Sequence, residues 1–392
     1  MRADLAVSYG EERLPRYTSY PTAPHFSPAI GADTYARWLA DLPAGASASL
    51  YLHVPFCREM CWYCGCHTQI ARRDGLIAAY QRTLRLEIER IVETIGRRIK
   101  VEHIHFGGGT PTIMAPEDFA ELMATMRQAF FVLPSAEIAV EIDPRTFTAD
   151  TLGAMRLSSV NRASLGVQSF DPVVQRAINR VQSFEQTASV VDMIRRAGIS
   201  GINFDLIYGL PHQTVASCLD TVRRALMLAP DRFSVFGYAH VPSFKKHQQM
   251  IKESFLPDGP ARHDQACAIA NALNEAGYVQ IGAYSHSVAA GRLATAKGYG
   301  LTHDDRLRAE IIERIMCDFS ADLGAICARH GAMPEAMLNS APRLKPLISD
   351  GVVKLDGDRL AVTDDSRFLV RSVAAAFDAH LDAAKQLHSR AV

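Results

Sequence analysis

Six β-rich runs, each separated from the next by a stretch with helical periodicity, constrain this chain more than any other feature. They are residues 49–56 (SLYLHVPF), 101–106 (VEHIHF), 136–144 (AEIAVEIDP), 162–170 (RASLGVQSF), 202–211 (INFDLIYGLP) and 232–242 (RFSVFGYAHVP). Between the first two, residues 74–95 place Tyr80, Leu84, Ile88, Ile91, Val92 and Ile95 on one helical face, and a further helix is expected from Pro116. Strands that alternate with helices pair in parallel, so the pattern calls for an α/β fold with a helix-covered sheet, either doubly wound or curled towards a barrel. The ends of the runs favour the barrel. They finish in a cysteine loop, in Gly107, Gly108, Gly109 and Thr110, in Glu141 and Asp143, in Gln168 and Ser169, in Asp205, and in Tyr238 and Ala239. Barrel strands bring their C-terminal tips to one mouth, where sites are built. Singly, each has a plainer role: GGGTP as a tight turn, Glu141 as a loop cap, Asp205 as a satisfied buried carboxylate. Six tips ending alike make a shared site the stronger reading.

The cysteine loop is HVPFCREMCWYCGCHT, residues 53–68, with four of the eight cysteines of the chain inside ten residues. The other four, Cys218, Cys267, Cys317 and Cys327, stand singly in helical segments and read as packing thiols of a reducing compartment. Disulfides among Cys57, Cys61, Cys64 and Cys66 would be strained at such short separations. Structural zinc usually draws on a second cysteine hook, and none is visible. An iron–sulfur cluster needs only thiolates on a compact loop, and C-x-x-x-C-x-x-C leaves one iron open. His103 and His105 alternate on a strand and share a face, but they lie upstream of its tip and read as barrel packing and hydrogen bonding rather than a metal pair.

Charge narrows the partners. Lys plus Arg and Asp plus Glu both number 42, so no bulk field draws the chain to nucleic acid or an anionic membrane surface. No run approaches eighteen apolar residues, and the first residues lack an apolar core followed by a small-residue cleavage site. A cytoplasmic protein acting on a small molecule, with no membrane span, is expected.

CREMCWYC, with Tyr63 before its third cysteine, resembles the signature of radical S-adenosylmethionine (SAM) enzymes. LPRYTSYPTAPHF, YLHVPFCREMCWYCGC, HIHFGGGTPT, EIDPRTF, LGVQSF, INFDLIYGLPHQT and VFGYAHVP then resemble, in the same order, the motifs of the oxygen-independent coproporphyrinogen III dehydrogenase (oxidase) family of haem biosynthesis. The resemblance runs from Leu14 to Gln280 and resumes in the C-terminal part. It implies a partial (βα)6 TIM-like radical SAM barrel with a [4Fe-4S] cluster on Cys57, Cys61 and Cys64. A first SAM would contact Tyr51, Gly108, Gly109, Thr110 and Glu141. A second would lie near Tyr63, Gln168, Arg180, Asp205 and Ala239. Cys66 is no cluster ligand in that pattern, and its role stays open. The implied reaction uses a 5'-deoxyadenosyl radical to convert two propionates of coproporphyrinogen III, a tetrapyrrole, to vinyl groups, giving protoporphyrinogen IX. A flavodoxin-like or other reductant and a monomeric chain go with it. Arg16 is a candidate anchor for the acidic substrate, with a plain surface role as its counterpart.

The family pattern continues after GYVQIG (277–282) through several dozen residues with three further motifs, which are missing here; residues 281–300 resemble the family segment on the far side of those motifs. The expected organisation is an N-terminal arm over 1–47, the barrel over 48–282, a shortened connection over 283–300 and a C-terminal domain over 301–392. Because the missing block helps to form the second SAM site, a catalytically impaired protein that binds cluster, SAM or haem is the second reading. A colourless zinc protein is the third.

In the C-terminal part, Thr302 reads as an N-cap with acidic residues in the first turn behind it, and Leu307, Ile311, Ile312 and Ile315 share a face. Residues 321–331 and 342–351 continue as short helices. VVKLDGDRLAVT, residues 352–363, is a hairpin across Asp-Gly, and a last helix completes the chain. This is a mainly helical, winged-helix-like domain whose neutral charge offers no recognition face for DNA.

Overall fold

A computed structural model describes residues 5, 9, 14, 20–22, 25–279 and 301–381. The connection expected over 283–300, and Arg16, lie outside the described residues.

The main sheet has six parallel strands, β1 (Ser47–Val54), β4 (Lys100–Gly108), β5 (Phe131–Ile142), β6 (Arg162–Gln168), β7 (Gly201–Tyr208) and β8 (Arg232–Gly237), in the order β1-β4-β5-β6-β7-β8. Spatial order follows chain order throughout, so the sheet winds one way without the reversal of a doubly wound fold. β2 (Phe56–Cys57) and β3 (Gln69–Ile70) form a small parallel pair that brackets the cysteine loop.

Strand periodicity sorts the two faces. Leu52, Val54, Ile104, Phe106, Ile138, Val140, Leu165, Val167, Ile202 and Phe204 are buried under the helices. Residues of the opposite parity line the inner face, where Tyr51 pairs with His105, Glu141 with Ser164 and Gly166 with Asp205. The covering helices follow from their own periodicity. Asp74–Ile95 buries Ile77, Leu84, Ile88 and Ile95 and ends on Gly96 at φ 69°, a left-handed cap that glycine adopts without strain.

Strand limits differ from the sequence expectation: β4 runs on to Gly108, β7 stops at Tyr208, where Gly209 turns the backbone at φ 78°, and β8 stops at Gly237 rather than at 242. β1 stops at Val54 because Pro55 lacks the N–H to continue a ladder, and Phe56 and Cys57 pair with Gln69 and Ile70 instead. β5 begins at Phe131, with its register to β4 shifting between Val101 and His103; the bulge accommodates Pro134. β6 ends at Gln168, where another shift and a φ of 65° turn the backbone.

A second core holds the C-terminal part. Helix His303–Asp318 starts at the expected cap: Thr302 Oγ1 accepts from Asp305 N at 3.1 Å, and Asp305 Oδ2 accepts from Thr302 N at 2.9 Å. The hairpin also forms, from β10 (Val353–Asp356) and β11 (Arg359–Val362). One expectation is corrected. The segment from Ala321 does not begin as helix, because β9 (Ser320–Asp322) adds a third strand to β11 before helix Leu323–Arg329 starts. Three residues carry too little periodicity to read as a strand. Leu5, Leu14 and Tyr20 of the N-terminal arm pack into this same core, and His263 meets Phe368 with ring centroids 4.0 Å apart, tying the barrel to it.

Candidate active site

The cysteine loop comes directly after β1 at the mouth of the half-barrel and is held from several sides. Gln69 N donates to Pro55 O and Ala71 N to Cys57 O. Trp62 N donates to Ile178 O at 2.9 Å, and Asn179 Nδ2 donates to Met60 O. From the segment after β8, Lys245 Nζ donates to Cys66 O at 2.9 Å, His247 Nε2 to Cys64 O at 2.7 Å and Gln248 Nε2 to Tyr63 O at 3.0 Å. A loop whose carbonyls are this well satisfied keeps its sulfur positions without a ligand.

The three sulfurs have different surroundings. Cys57 Sγ accepts from Thr68 Oγ1 at 3.4 Å and lies 3.5 Å from Thr110 Oγ1; burial pushes its thiol upward. Cys61, the deepest, accepts from Arg145 Nη2 at 3.6 Å and Arg180 Nη1 at 3.7 Å. Cys64 accepts from Cys66 N at 3.4 Å. The Cys66 thiol also bonds to Cys64, which lowers Cys64 to about 6 and drives Cys66 upward. Among the described residues no three His, Cys, Asp or Glu gather as ligands of a single ion. A cubane needs no such single-ion set, because it spreads its thiolates over separate irons.

Beside the loop, the glycine turn after β4 packs backbone to backbone. Gly109 N donates to Val54 O and Thr110 N to Phe56 O, both at 2.8 Å. A Cβ on Gly109 would sit 2.5 Å from Phe56 O, and one on Gly107 would sit 2.7 Å from Glu141 Oε1 and 2.9 Å from the Tyr51 hydroxyl. Glu141 Oε2 accepts from Gly108 N at 3.1 Å while its Oε1 meets His105 Nε2 at 3.2 Å. His105 stacks on Tyr51, centroids 5.7 Å apart, so the hydrogen bonding expected of it within the barrel is directed at a site carboxylate. His103 instead points to Ser49 Oγ near the other end of the strand. His53 faces the carbonyl of His67 through Nε2, which must therefore donate, leaving Nδ1 to accept from the Tyr51 hydroxyl.

Across the mouth, Asp205 accepts from Ser164 Oγ at 3.1 Å and Asn203 Nδ2 at 2.9 Å. Burial, reinforced by the nearby Glu141 charge, pushes its carboxyl up to about 7. Gln168 stands at the bulge with its Oε1 buried and unpartnered, a sign that the amide awaits a donor from a ligand. Ala239 offers its carbonyl to Gln248 Nε2. Tyr63 lies on the loop itself, its phenol pushed upward by burial. Arg180 is committed: Nη1 and Nη2 reach Asp143 at 3.2 and 3.3 Å, and Nη2 donates to Gly166 O at 2.6 Å. Only its Nε is left, buried and unpartnered.

The ten expected SAM-contacting residues and the three cysteines thus lie towards one end of the sheet, Tyr51 and Asp205 within β1 and β7 three residues before their ends and the others at or near strand ends or in loops. Sequence reasoning did not single out Arg145, His53, Thr68, Lys245 or His247. Arg145, His53 and Thr68 carried a local signal, their places in EIDPR and in the cysteine loop.

A parallel half-barrel with three cysteines on the loop after its first strand defines the radical SAM class, and residues 51–225 match the Radical SAM superfamily while residues 301–369 match the HemN C-terminal domain. An oxygen-independent coproporphyrinogen III oxidase of Bradyrhizobium diazoefficiens is 76% identical with both chains fully covered, and one of Paracoccus denitrificans is 35% identical over 97% of each. The solved coproporphyrinogen III oxidase (HemN) of Escherichia coli, described as a radical SAM enzyme, superposes with a TM-score of 0.85 at 30% identity, over 93% of this chain and 98% of that one. The chain belongs to the oxygen-independent coproporphyrinogen III oxidase family. Its alignment to the Bradyrhizobium protein runs over 450 positions against 392 residues here, so at least 58 positions have no counterpart in this chain. Both chains are covered completely, which places those positions inside the alignment rather than at its ends.

Proposed function

We propose that this chain converts two propionate side chains of coproporphyrinogen III to vinyl groups, giving protoporphyrinogen IX, as an oxygen-independent oxidase. The observation that carries the reading is the convergence of three differently solvated cysteine sulfurs, the glycine turn and the Glu141 carboxylate at the mouth of one half-barrel. The site fits its expected cofactors: the thiols suit a [4Fe-4S] cluster, and the orphaned Gln168 amide and raised Asp205 carboxyl suit a polar ligand beside it. When bound, the cluster and SAM supply the hydrogen-atom abstraction that opens an oxidative decarboxylation.

The residues of the chain bind and orient. Glu141, fixed by Gly108 N and His105, is a preformed acceptor for an ammonium group, and the glycine turn lets backbone approach a zwitterion. Tyr51 and Thr110 complete that side. Tyr63, Gln168, Asp205 and Ala239 line the second position, with Arg180 bracing its wall. The chain is expected to act as a monomer supplied with electrons by a flavodoxin-like or other reductant. Among the described residues no helix is long and apolar enough to cross a membrane, and the balanced charge supports a small-molecule partner over nucleic acid. The relatives of Bradyrhizobium, Paracoccus and Escherichia are oxidases by description, which favours this reading over a binding-only protein.

The test is anaerobic reconstitution with iron and sulfide, then assay with dithionite, SAM and coproporphyrinogen III, scoring 5'-deoxyadenosine and protoporphyrinogen separately. Both products are expected. Deoxyadenosine without protoporphyrinogen would overturn the substrate assignment, and a loaded cluster that yields neither would favour a binding role.

A further inference from the structure

Asp143, Arg145 and Arg180 form a buried ion cluster with unequal charge. The Asp143 carboxylate accepts from Arg145 Nη2 at 2.7 Å, from Arg145 Nε at 3.0 and 3.2 Å, and from both terminal nitrogens of Arg180. The side chains of Asp143, Arg145 and Arg180 are 10%, 15% and 7% exposed. Two guanidinium ions share one carboxylate, so the group keeps one positive charge in a site with little water. The nearest further acid, Glu59, reaches Arg145 Nη1 only at 3.8 Å and is 72% exposed, so solvent screens it. A buried uncompensated charge is costly and calls for an anion. Arg180 Nη2 also donates to Gly166 O at 2.6 Å, and the further contact that the two arginines share is Cys61 Sγ, at 3.6 and 3.7 Å. Cys57 and Cys64, by contrast, meet hydroxyls and a backbone N–H.

We infer that Arg145 and Arg180, oriented by Asp143, set the reduction potential of the cluster by donating charged hydrogen bonds to the Cys61 thiolate. The inference rests on the proposed function and assigns Asp143 and Arg145 a role in it. Hydrogen bonds to cluster sulfurs and net local charge are the levers by which a protein moves such potentials. Reduction adds one electron to the cluster and makes it more negative, so a neighbouring positive charge stabilises the reduced form and raises the potential. The two partners therefore act with opposite sign. Loss of Arg145 leaves the group neutral and disfavours reduction; loss of the Asp143 charge leaves it doubly positive and favours reduction. A purely structural role would move both variants the same way, or neither.

The experiment is a dithionite redox titration, monitored by EPR, of the anaerobically reconstituted full chain, Arg145→Gln and Asp143→Asn, with iron and sulfide counted per chain. At the potential where the parent is half reduced, Arg145→Gln is expected to show a reduced-to-oxidised ratio lower by at least about tenfold, a shift of about 59 mV for a one-electron couple. Asp143→Asn is expected to shift the other way. Arg145→Lys, which keeps the charge but loses the fork, is expected between parent and Arg145→Gln; if the glutamine variant does not load, an unmoved lysine variant overturns the inference. Loaded variants that titrate with the parent, or that both move in one direction, also overturn it. A parent chain that takes up no cluster overturns the functional reading itself, and the inference with it.

Discussion

The substitution Gly109→Ala tests whether the glycine turn is built by close backbone approach. Its new Cβ would lie 2.5 Å from Phe56 O, 2.7 Å from Thr68 Oγ1 and 2.8 Å from Phe56 C. Two of these three atoms are backbone, so no rotamer change relieves the overlap. The main chain around Phe56 must move, and with it the Gly109 N to Val54 O and Thr110 N to Phe56 O bonds. Overpacking costs about 1–3 kcal/mol, and weakening two backbone hydrogen bonds adds about 1 kcal/mol each at most. A loss of about 1–5 kcal/mol lowers Tm by about 2–20 °C for a domain of about 200 residues. Because Phe56 precedes Cys57, cluster uptake should fall as well. Gly153→Ala is the control: it makes the same chemical change inside helix Ala149–Leu157, where nothing lies within 4 Å of the added atom. There alanine should stabilise by about 0.5–1 kcal/mol. Thermal unfolding of the apo-chain and iron and sulfide per chain after reconstitution are the two readouts. Gly109→Ala melting within about 1 °C of the parent with full iron would refute the close-approach argument.

Two further outcomes are expected. The Asp205 carboxyl, held near 7, keeps its proton in the folded apo-chain at pH values where the unfolded chain has released it; its own contribution to stability is therefore greatest below the ordinary carboxylate range and declines as pH rises through about 4 to 7. Asp205→Asn should flatten that part of the profile, the difference reaching at most about 4 kcal/mol, and unfolding midpoints that decline equally in both chains would contradict the assignment. Thr302→Ala removes the cap of helix His303–Asp318 and should cost about 1 kcal/mol; a denaturation midpoint unchanged from the parent would show that Asp305 holds the helix start alone.

Much of this architecture is local in origin and was legible in the chain. The parity of apolar residues in β1, β4, β5, β6 and β7, the helical face of 74–95, the cap at Thr302 and the Asp-Gly hairpin each depend on neighbours a few residues away. So does the cysteine spacing, since three thiolates on one loop restrict what that loop can hold wherever it lies. Strand-tip position placed Glu141, Gln168 and Asp205 together for the same reason: parallel strands in sequence order bring like ends to one edge.

What the chain alone did not reveal are the partners of these groups. His105 hydrogen-bonds within the barrel as its place on the strand implies, but its partners depend on parallel register, which sets it beside Tyr51 and the neighbouring strand's Glu141. Arg145 and Arg180 reach Cys61 across 84 and 119 residues, and Lys245 and His247 close on the cysteine loop from beyond β8. Leu5, Leu14 and Tyr20 belong to a core otherwise made of residues after 301. Residue type and spacing determine which chemistry the cysteines and carboxylates can support; the charged hydrogen bonds to Cys61 depend on side chains that only tertiary packing brings within reach, because their interactions fall off over a few ångströms while their separation in sequence exceeds eighty residues.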